Sequence, residues 1–362
     1  MKNIFDDEIV QETKDTDTLK VFLGVCSHME LSKNSLSICS YIAKNDNKLI
    51  ASNIKNFLIM DYTGNEENGV YEYLLSKAFD KLDGFNTNET NLEKYPQAEI
   101  DLVNGEWVNI NASQAQLITD AYKFVTDDVT RYFMAGIYFE KGFVVSTDGR
   151  RLFYSQGFDN FPSVILPNSK CLEWLLKKGT NIKYKIDKTF SIFQFEYKGS
   201  MMFYCASNIE GQFPNWQKVV PEKQRFTIGV PDLTAWKDIY SKIVLLKSKS
   251  NSERIYIKHE KDDEVSVEWD SKIIGKMKWI GFYDETRLAN EKLGWEKIED
   301  TTENPRKPFI SLLTTLAINY KYFNDALTLY PLKEIQFTEW IKAVTFIYTN
   351  NSISIVMPMQ KD

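Results

Sequence analysis

Between residues 113 and 126, SQAQLITDAYKFVT, apolar side chains fall at Leu117, Ile118, Ala121, Phe124 and Val125, while Gln116, Thr119, Asp120 and Lys123 take the opposite side. That 3.6-residue period predicts an amphipathic helix. The runs that follow, RYFMAGIYFE (131–140), GFVVST (142–147) and RRLFYSQ (150–156), are rich in β-branched and aromatic residues and are broken by Asp148-Gly149, so they predict strands. A second helix is predicted over 168–178, NSKCLEWLLKK, with Asn168 as N-cap and Gly179 as its stop. Strands IKYKID, SIFQFEYKG and MMFYCASNI come next, and GQFPNWQKVVP (211–221) closes the block.

The order helix, strands, helix, strands recurs. From Phe226 onward Leu233, Trp236, Ile239, Tyr240 and Ile243 form one apolar stripe, then RIYIKHE, VSVEWD and KMKWIGF predict strands. A helix at about 319–329 and the strands EIQFTEW, AVTFIYT and SISIVMPM finish the chain. Ahead of the middle block, DTLKVFLGVCSHM and GVYEYLLSKAFDKL predict two helices, with SLSICSYIAKN and KLIASNIKNFLIMDY as strands. Three copies of one plan are expected at 1–112, 113–224 and 225–362. The first is shortened, because only the polar NTNETNLEK precedes its Tyr95-Pro96, the loose counterpart of Phe213-Pro214. The third carries a polar insertion over about 284–308.

Composition narrows the chemistry. With 43% hydrophobic and 26% charged residues the chain has enough apolar matter to fill cores, which argues against disorder. No apolar run approaches the roughly 20 residues of a membrane span, and the first residues are acidic and polar, so a cytoplasmic protein with no membrane partner is expected. Cys26, Cys39, Cys171 and Cys205 are scattered without metal-ligand spacing and read as reduced core residues, with a metal or redox role as the alternative. The two histidines, His28 and His259, are few for hydrolytic or zinc chemistry. No metal or cofactor is expected. A net charge of -6 means that any association with DNA requires lysines segregated on one surface, or topology in place of affinity.

RYFMAGIYFE with VVSTDGRRLF (144–153), GQFPNWQKVVP and the final IVMPM (355–359) occur in the order and spacing found in one family. Together they resemble the bacterial DNA polymerase III beta subunits, the sliding clamps, over the second and third repeats well and over the first in part. The resemblance implies an α+β fold of three similar clamp-type domains, each with two helices packed on antiparallel sheets. Together they form half of a homodimeric ring. It implies a processivity factor, not an enzyme, that encircles double-stranded DNA without reading its sequence. Its partners would be the replicative DNA polymerase, the clamp loader and other proteins carrying a clamp-binding motif. Nucleoid association would follow.

The family's partner-peptide cleft maps here onto Met134, Thr147, Gly149, Arg150, Arg151, Leu152, Pro214, Lys218, Val219, Asn319, Tyr322, Ile355, Val356, Met357, Pro358 and Met359. Met side chains would adapt to Leu or Phe anchors, and Arg151 with the Gly149 backbone would orient a polar group. Met357 and Met359 have a plainer reading as alternating residues of a last strand. Lys218 stands where the family often has Arg, and Gln360-Lys361-Asp362 departs from the usual ending. The DNA-facing candidates are Lys20, Lys77, Lys81, Lys123, Lys170, Lys177, Lys178, Lys237, Lys242 and Lys321, each of which also reads as an ordinary solvated lysine.

Asp148 beside Gly149 and two arginines admits a catalytic reading, but an Asp-Gly turn accounts for the same residues. Two other functions compete. One is a clamp-like binding protein that does not load onto DNA because its first domain is short. The other is a carboxylate-dependent enzyme on a polymer such as a glycan, for which no facing pair of acids can be picked out.

Overall fold

The computed structural model describes residues 18–29, 41–64, 67–72, 92, 95–96, 100–187, 189–221, 226–229, 254–259, 264–271, 275–282, 316–329, 331–337 and 343–359. The chain divides into two compact units. Unit 1 takes Met1–Tyr122, Ala135–Gly142 and Phe158–Gly211, and unit 2 takes Lys123–Met134, Phe143–Gly157 and Gln212–Asp362.

Unit 1 is built on an antiparallel sheet. Its strands are β1 (Tyr41–Asn45), β2 (Lys48–Ser52), β3 (Asn56–Asp61), β4 (Gly69–Glu72), β5 (Val108–Asn109), β10 (Thr180–Asp187), β11 (Phe190–Tyr197) and β12 (Ser200–Ser207). They lie in the order β4-β1-β2-β3-β12-β11-β10-β5. β3 and β12 lie far apart in sequence, yet they pair from Asn56 opposite Ala206 to Met60 opposite Met202. Their shared ladder places Phe57, Ile59, Ile192 and Cys205 in one buried cluster. Tyr95 is buried with Ala43 and Val70, and its hydroxyl donates to the carbonyls of Tyr41 at 3.0 Å and Ile50 at 3.2 Å. The β11-β12 turn uses Lys198 and Gly199 at φ +50° and +78°, the double left-handed geometry of a tight hairpin. The antiparallel pair β6 (Gly136–Glu140) with β9 (Val164–Pro167) also belongs to unit 1.

Among the described residues this unit has three helices: α1 at 18–26, α2 (Ala112–Ala121) and α3 (Lys170–Lys178). α1 buries Leu19, Phe22, Val25 and Cys26 at helical spacing and leaves Lys20 exposed. At its end His28 stacks on Trp174 of α3, with ring centroids 4.5 Å apart. α2 begins with a reciprocal cap in which Asn111 Oδ1 accepts from Gln114 N at 2.9 Å and Asn111 N donates to Gln114 Oε1 at 3.0 Å.

In unit 2 the strands β7 (Gly142–Thr147), β8 (Arg151–Phe158), β13 (Phe226–Gly229), β18 (Leu332–Phe337), β19 (Val344–Tyr348) and β20 (Ile353–Val356) run in the order β13-β18-β19-β20-β8-β7. A second sheet has the order β16-β15-β14-β17, from β14 (Arg254–His259), β15 (Glu264–Ser271), β16 (Gly275–Phe282) and β17 (Leu316–Asn319). Helix α4 (Tyr320–Thr328) starts where β17 ends, because Asn319 serves as both last strand residue and N-cap, its Oδ1 accepting from Tyr322 N at 3.3 Å. Phe323 of α4 meets Phe346 edge to face, and the Tyr348 hydroxyl donates to Ala326 O at 2.8 Å, which fixes α4 on β19.

Four sequence expectations change. The cap of α3 is Ser169, not Asn168: Ser169 Oγ accepts from Leu172 N at 3.2 Å, while the Asn168 N–H is taken by Ala135 O. The stretch expected as a helix from Gly69 opens as strand β4, because Val70 and Tyr71 complete the ladder with β1. The strand expected from Arg131 starts only at Gly136, since Asp128 and Thr130 bond the local backbone and hold 129–134 as short 3-10 turns. The final strand stops at Val356, so Met357 and Met359 do not alternate within it. The expected helix after Phe226, the insertion at 284–308, Cys39 and residues 73–90 lie outside the described residues.

Candidate protein-docking site

The sixteen residues expected to form a docking cleft all fall in unit 2. Their frame is the turn between β7 and β8. Thr147 Oγ1 accepts the Gly149 N–H at 3.0 Å and donates to Arg151 O at 2.7 Å, while Asp148 Oδ1 accepts the N–H groups of Arg150 at 2.9 Å and Arg151 at 3.0 Å. Gly149 sits at φ +85°, a backbone region that favours glycine, and a Cβ there would lie 2.8 Å from Arg131 Nη1, the end of a side chain free to shift. Met134 is buried beneath it, its Cε 3.8 Å from that position. Asp148 is thereby a turn-former and not a free acid.

Arg151 is 5% exposed and its guanidinium is fully engaged. Nε pairs with Asp148 Oδ2 at 2.8 Å, Nη1 donates to Asp325 of α4, and Nη2 donates to Lys123 O at 2.6 Å. The Phe124 and Tyr322 rings lie 4.9 Å and 4.6 Å from its Cζ. It therefore holds the frame together, whereas Arg150 is exposed.

The end of the chain docks on this turn. Ile355 pairs opposite Leu152 and Val356 opposite Arg151, all four buried. Beyond the strand, Met357 N donates to Arg150 O at 2.9 Å and Met359 N to Ala317 O at 2.8 Å. Met357 is 41% exposed, whereas Pro358 and Met359 are half-buried. Pro214 (half-buried), Lys218 and Val219 (both exposed) ride on the 212–221 segment, which is anchored by Trp216 against Phe143 at 5.4 Å and Tyr154 at 5.1 Å. Asn319 and Tyr322 enter through α4. Around this turn Met134, Leu152, Ile355 and Val356 are buried, and Gly149, Arg150 and Met357 are exposed.

Sequence reasoning missed Arg131, Asp128, Phe124, Trp216 and Asp325. Arg131 Nη1 donates to Asp148 O at 2.9 Å and its Nε pairs with Asp128 at 2.9 Å. Hydrogen bonds from Thr130, then Arg131, hold the Asp128 carboxyl down at about 2. The T-R spacing after Asp128 was the available signal, since Asp-x-Thr is a common side-chain-capped turn.

Lys20, Lys123, Lys170, Lys177, Lys178 and Lys321 are all exposed. On α3 they lie opposite the buried Cys171, Leu172, Leu175 and Leu176, with Lys177 paired to Glu173 at 2.5 Å. Lys77, Lys81, Lys237 and Lys242 lie outside the described residues. Cys26, Cys171 and Cys205 are buried free thiols, and burial pushes Cys26 and Cys171 well above the ordinary thiol range. Among the described residues no cluster of three His, Cys, Asp or Glu could hold a metal, and no helix is long and apolar enough to cross a membrane.

No family profile matches the chain. Its fold, however, is that of the DNA sliding clamps. The Bacillus subtilis DNA polymerase sliding clamp superposes with a TM-score of 0.71 at 15% identity, covering 96% of this chain and 98% of that one. A sliding clamp (DNA polymerase III subunit beta) from Bartonella birtlesii bound to griselimycin gives 0.68 at 17% identity, covering 96% and 98%. In sequence, the beta sliding clamp of Treponema pallidum is 28% identical over 255 residues, 66% of this chain, and the match spans 61% of that protein's length. The chain thus has the fold of the beta sliding clamps and resembles one of them in sequence over about two thirds of its own length.

Proposed function

We propose that the chain is a processivity clamp: two copies, each of three domains near 1–112, 113–224 and 225–362, close into a ring around duplex DNA and tether the replicative polymerase and other partners. The observation that carries this reading is the fold match over nearly the whole chain, together with the terminal residues folded onto the Thr147–Arg151 turn. Exposed lysines on α1 and α3 of unit 1, and separately on α4 of unit 2, are cations on an otherwise acidic chain, which supports contact with phosphates without base readout. Peptide partners, the clamp loader among them, would enter over Met357 and Arg150. The protein does its work by topology, with no bond-making step, and acts on DNA in the nucleoid.

The test is retention. Loaded onto a nicked circular plasmid by a clamp loader, the protein should co-elute with the DNA through gel filtration and leave when the plasmid is linearised. Equal retention on linear and circular DNA overturns the topological reading, and a strict monomer in native mass spectrometry at micromolar concentration favours a clamp-like protein that does not load.

A further inference from the structure

The frame of the docking site occurs twice in the chain. In unit 1 the turn Ser52–Asn56 repeats two of the four side-chain–backbone bonds of Thr147–Arg151: Ser52 Oγ accepts Ile54 N at 2.9 Å as Thr147 accepts Gly149, and Asn53 Oδ1 accepts Asn56 N at 2.8 Å as Asp148 accepts Arg151. Lys55 O accepts Ser207 N at 2.8 Å, where Arg150 O accepts Met357 N at 2.9 Å. Ala206 stands opposite Asn56 as Val356 stands opposite Arg151. Two residues further, Ile209 N donates to Ile165 O at 2.9 Å, and Met359 N donates to Ala317 O at 2.8 Å. The third turn residue is left-handed in both, φ +78° at Ile54 and +85° at Gly149.

Isoleucine is a disfavoured residue for this backbone, and among the described residues nothing accounts for it. A β-branched residue is strained at a positive φ, glycine or asparagine would hold the same bonds at lower cost, and the side chain is 47% exposed, so burial does not compensate. Lys55 beside it is exposed and makes no ion pair among the described residues. At the Arg151 position the first frame has Asn56, whose Oδ1 is buried without a hydrogen-bond partner. Strain, an orphan acceptor and an exposed apolar-cationic pair coincide on one turn, and strain of this kind points to use.

We infer that the Ser52–Asn56 turn with residues 207–209 is a second peptide-docking frame, taking a short extended segment that sets an apolar side chain on Ile54 and an acidic one on Lys55. This rests on the docking reading of the unit 2 frame, whose bonding it repeats in part. Lys55 holds the place of the exposed Arg150, so both frames favour an acidic ligand.

The experiment is calorimetric titration of the full chain with the capped peptide Gly-Asp-Leu-Leu-Phe-Gly. Two events per chain are expected. Met357→Ala with Met359→Ala removes one, and adding Ile54→Gly weakens the other at least ten-fold without lowering the melting temperature. A single event abolished by the methionine changes overturns this inference and leaves the unit 2 reading standing. Binding lost in Ile54→Gly but untouched by the methionine changes keeps this frame and removes the other. Binding indifferent to Ile54→Gly, or none at all in the wild-type chain, overturns it.

Discussion

The guanidinium of Arg151 lies over the ring of Tyr322, 4.6 Å from its centroid, while Nη1 reaches Asp325 one helical turn on. Strand β8 and helix α4, far apart in sequence, are fastened through one side chain. Removing it leaves Asp148 and Asp325 without their cation. Arg151→Met is therefore expected to cost about 3–5 kcal/mol in urea unfolding. Arg151→Lys should recover only part of this, because an ammonium cannot reproduce the planar fork. A double-mutant cycle with Asp325→Ala should give a coupling of about 1–3 kcal/mol, and purely additive losses would show the pair to be incidental.

Ile54→Gly should raise stability. Left-handed geometry costs a side-chain-bearing residue about 1–2 kcal/mol, and glycine returns part of that through its looser unfolded state. A net gain of roughly 0.5–1 kcal/mol, read from the urea midpoint, is expected. A loss would mean that the isoleucine packs in some way its exposure does not reveal.

Met357→Ala with Met359→Ala should weaken binding of an apolar-acidic peptide at the unit 2 frame by ten-fold or more and leave the far-UV spectrum and melting transition in place, because the strand ladder ends at Val356. Unchanged affinity at that frame would remove the methionines from the site.

Asp128 should titrate near 2 in the folded chain, against 3.8 when unperturbed. The sign follows from the depressed value: its contribution is present above about pH 4 and disappears as pH falls toward 2. Carbon-detected NMR of the carboxyl checks it. A midpoint near 4 would mean that the Thr130 and Arg131 bonds are not formed in solution.

The buried thiols should resist alkylation. At pH 8 iodoacetamide is expected to leave Cys26, Cys171 and Cys205 unmodified until denaturant is added, since burial closes all three to reagent and keeps Cys26 and Cys171 neutral. Rapid labelling of any of the three under native conditions, located by peptide mapping, would contradict this packing.

Periodicity exposed the amphipathic helices α2, α3 and α4 and nearly every hairpin, because each is decided by residues a few positions apart. It failed where a distant partner decides. Val70 and Tyr71 read as the start of a helix until β1 supplies a ladder, and Arg131 reads as strand until Asp128 turns the backbone. That the Thr147–Arg151 turn and the 355–359 segment come together was legible through the motifs, yet the contacts of Arg151 were not. That a buried fork takes all three of its contacts from within the fold depends on Asp325 and Lys123, which no local pattern links to it. The duplicated turn was equally hidden, since Ser52-Asn53-Ile54 and Thr147-Asp148-Gly149 share hydrogen bonds and not residues.

The union of β3 with β12 has a consequence for biosynthesis. During translation the opening hairpins emerge with one flank bare, and the strand that covers it appears only after the whole intervening stretch has left the ribosome. Closure over so long a loop is slow, and an uncovered flank of that kind recruits other nascent chains. A fragment ended at residue 112 should accordingly aggregate when expressed alone and become soluble when the missing partner strand is supplied in trans.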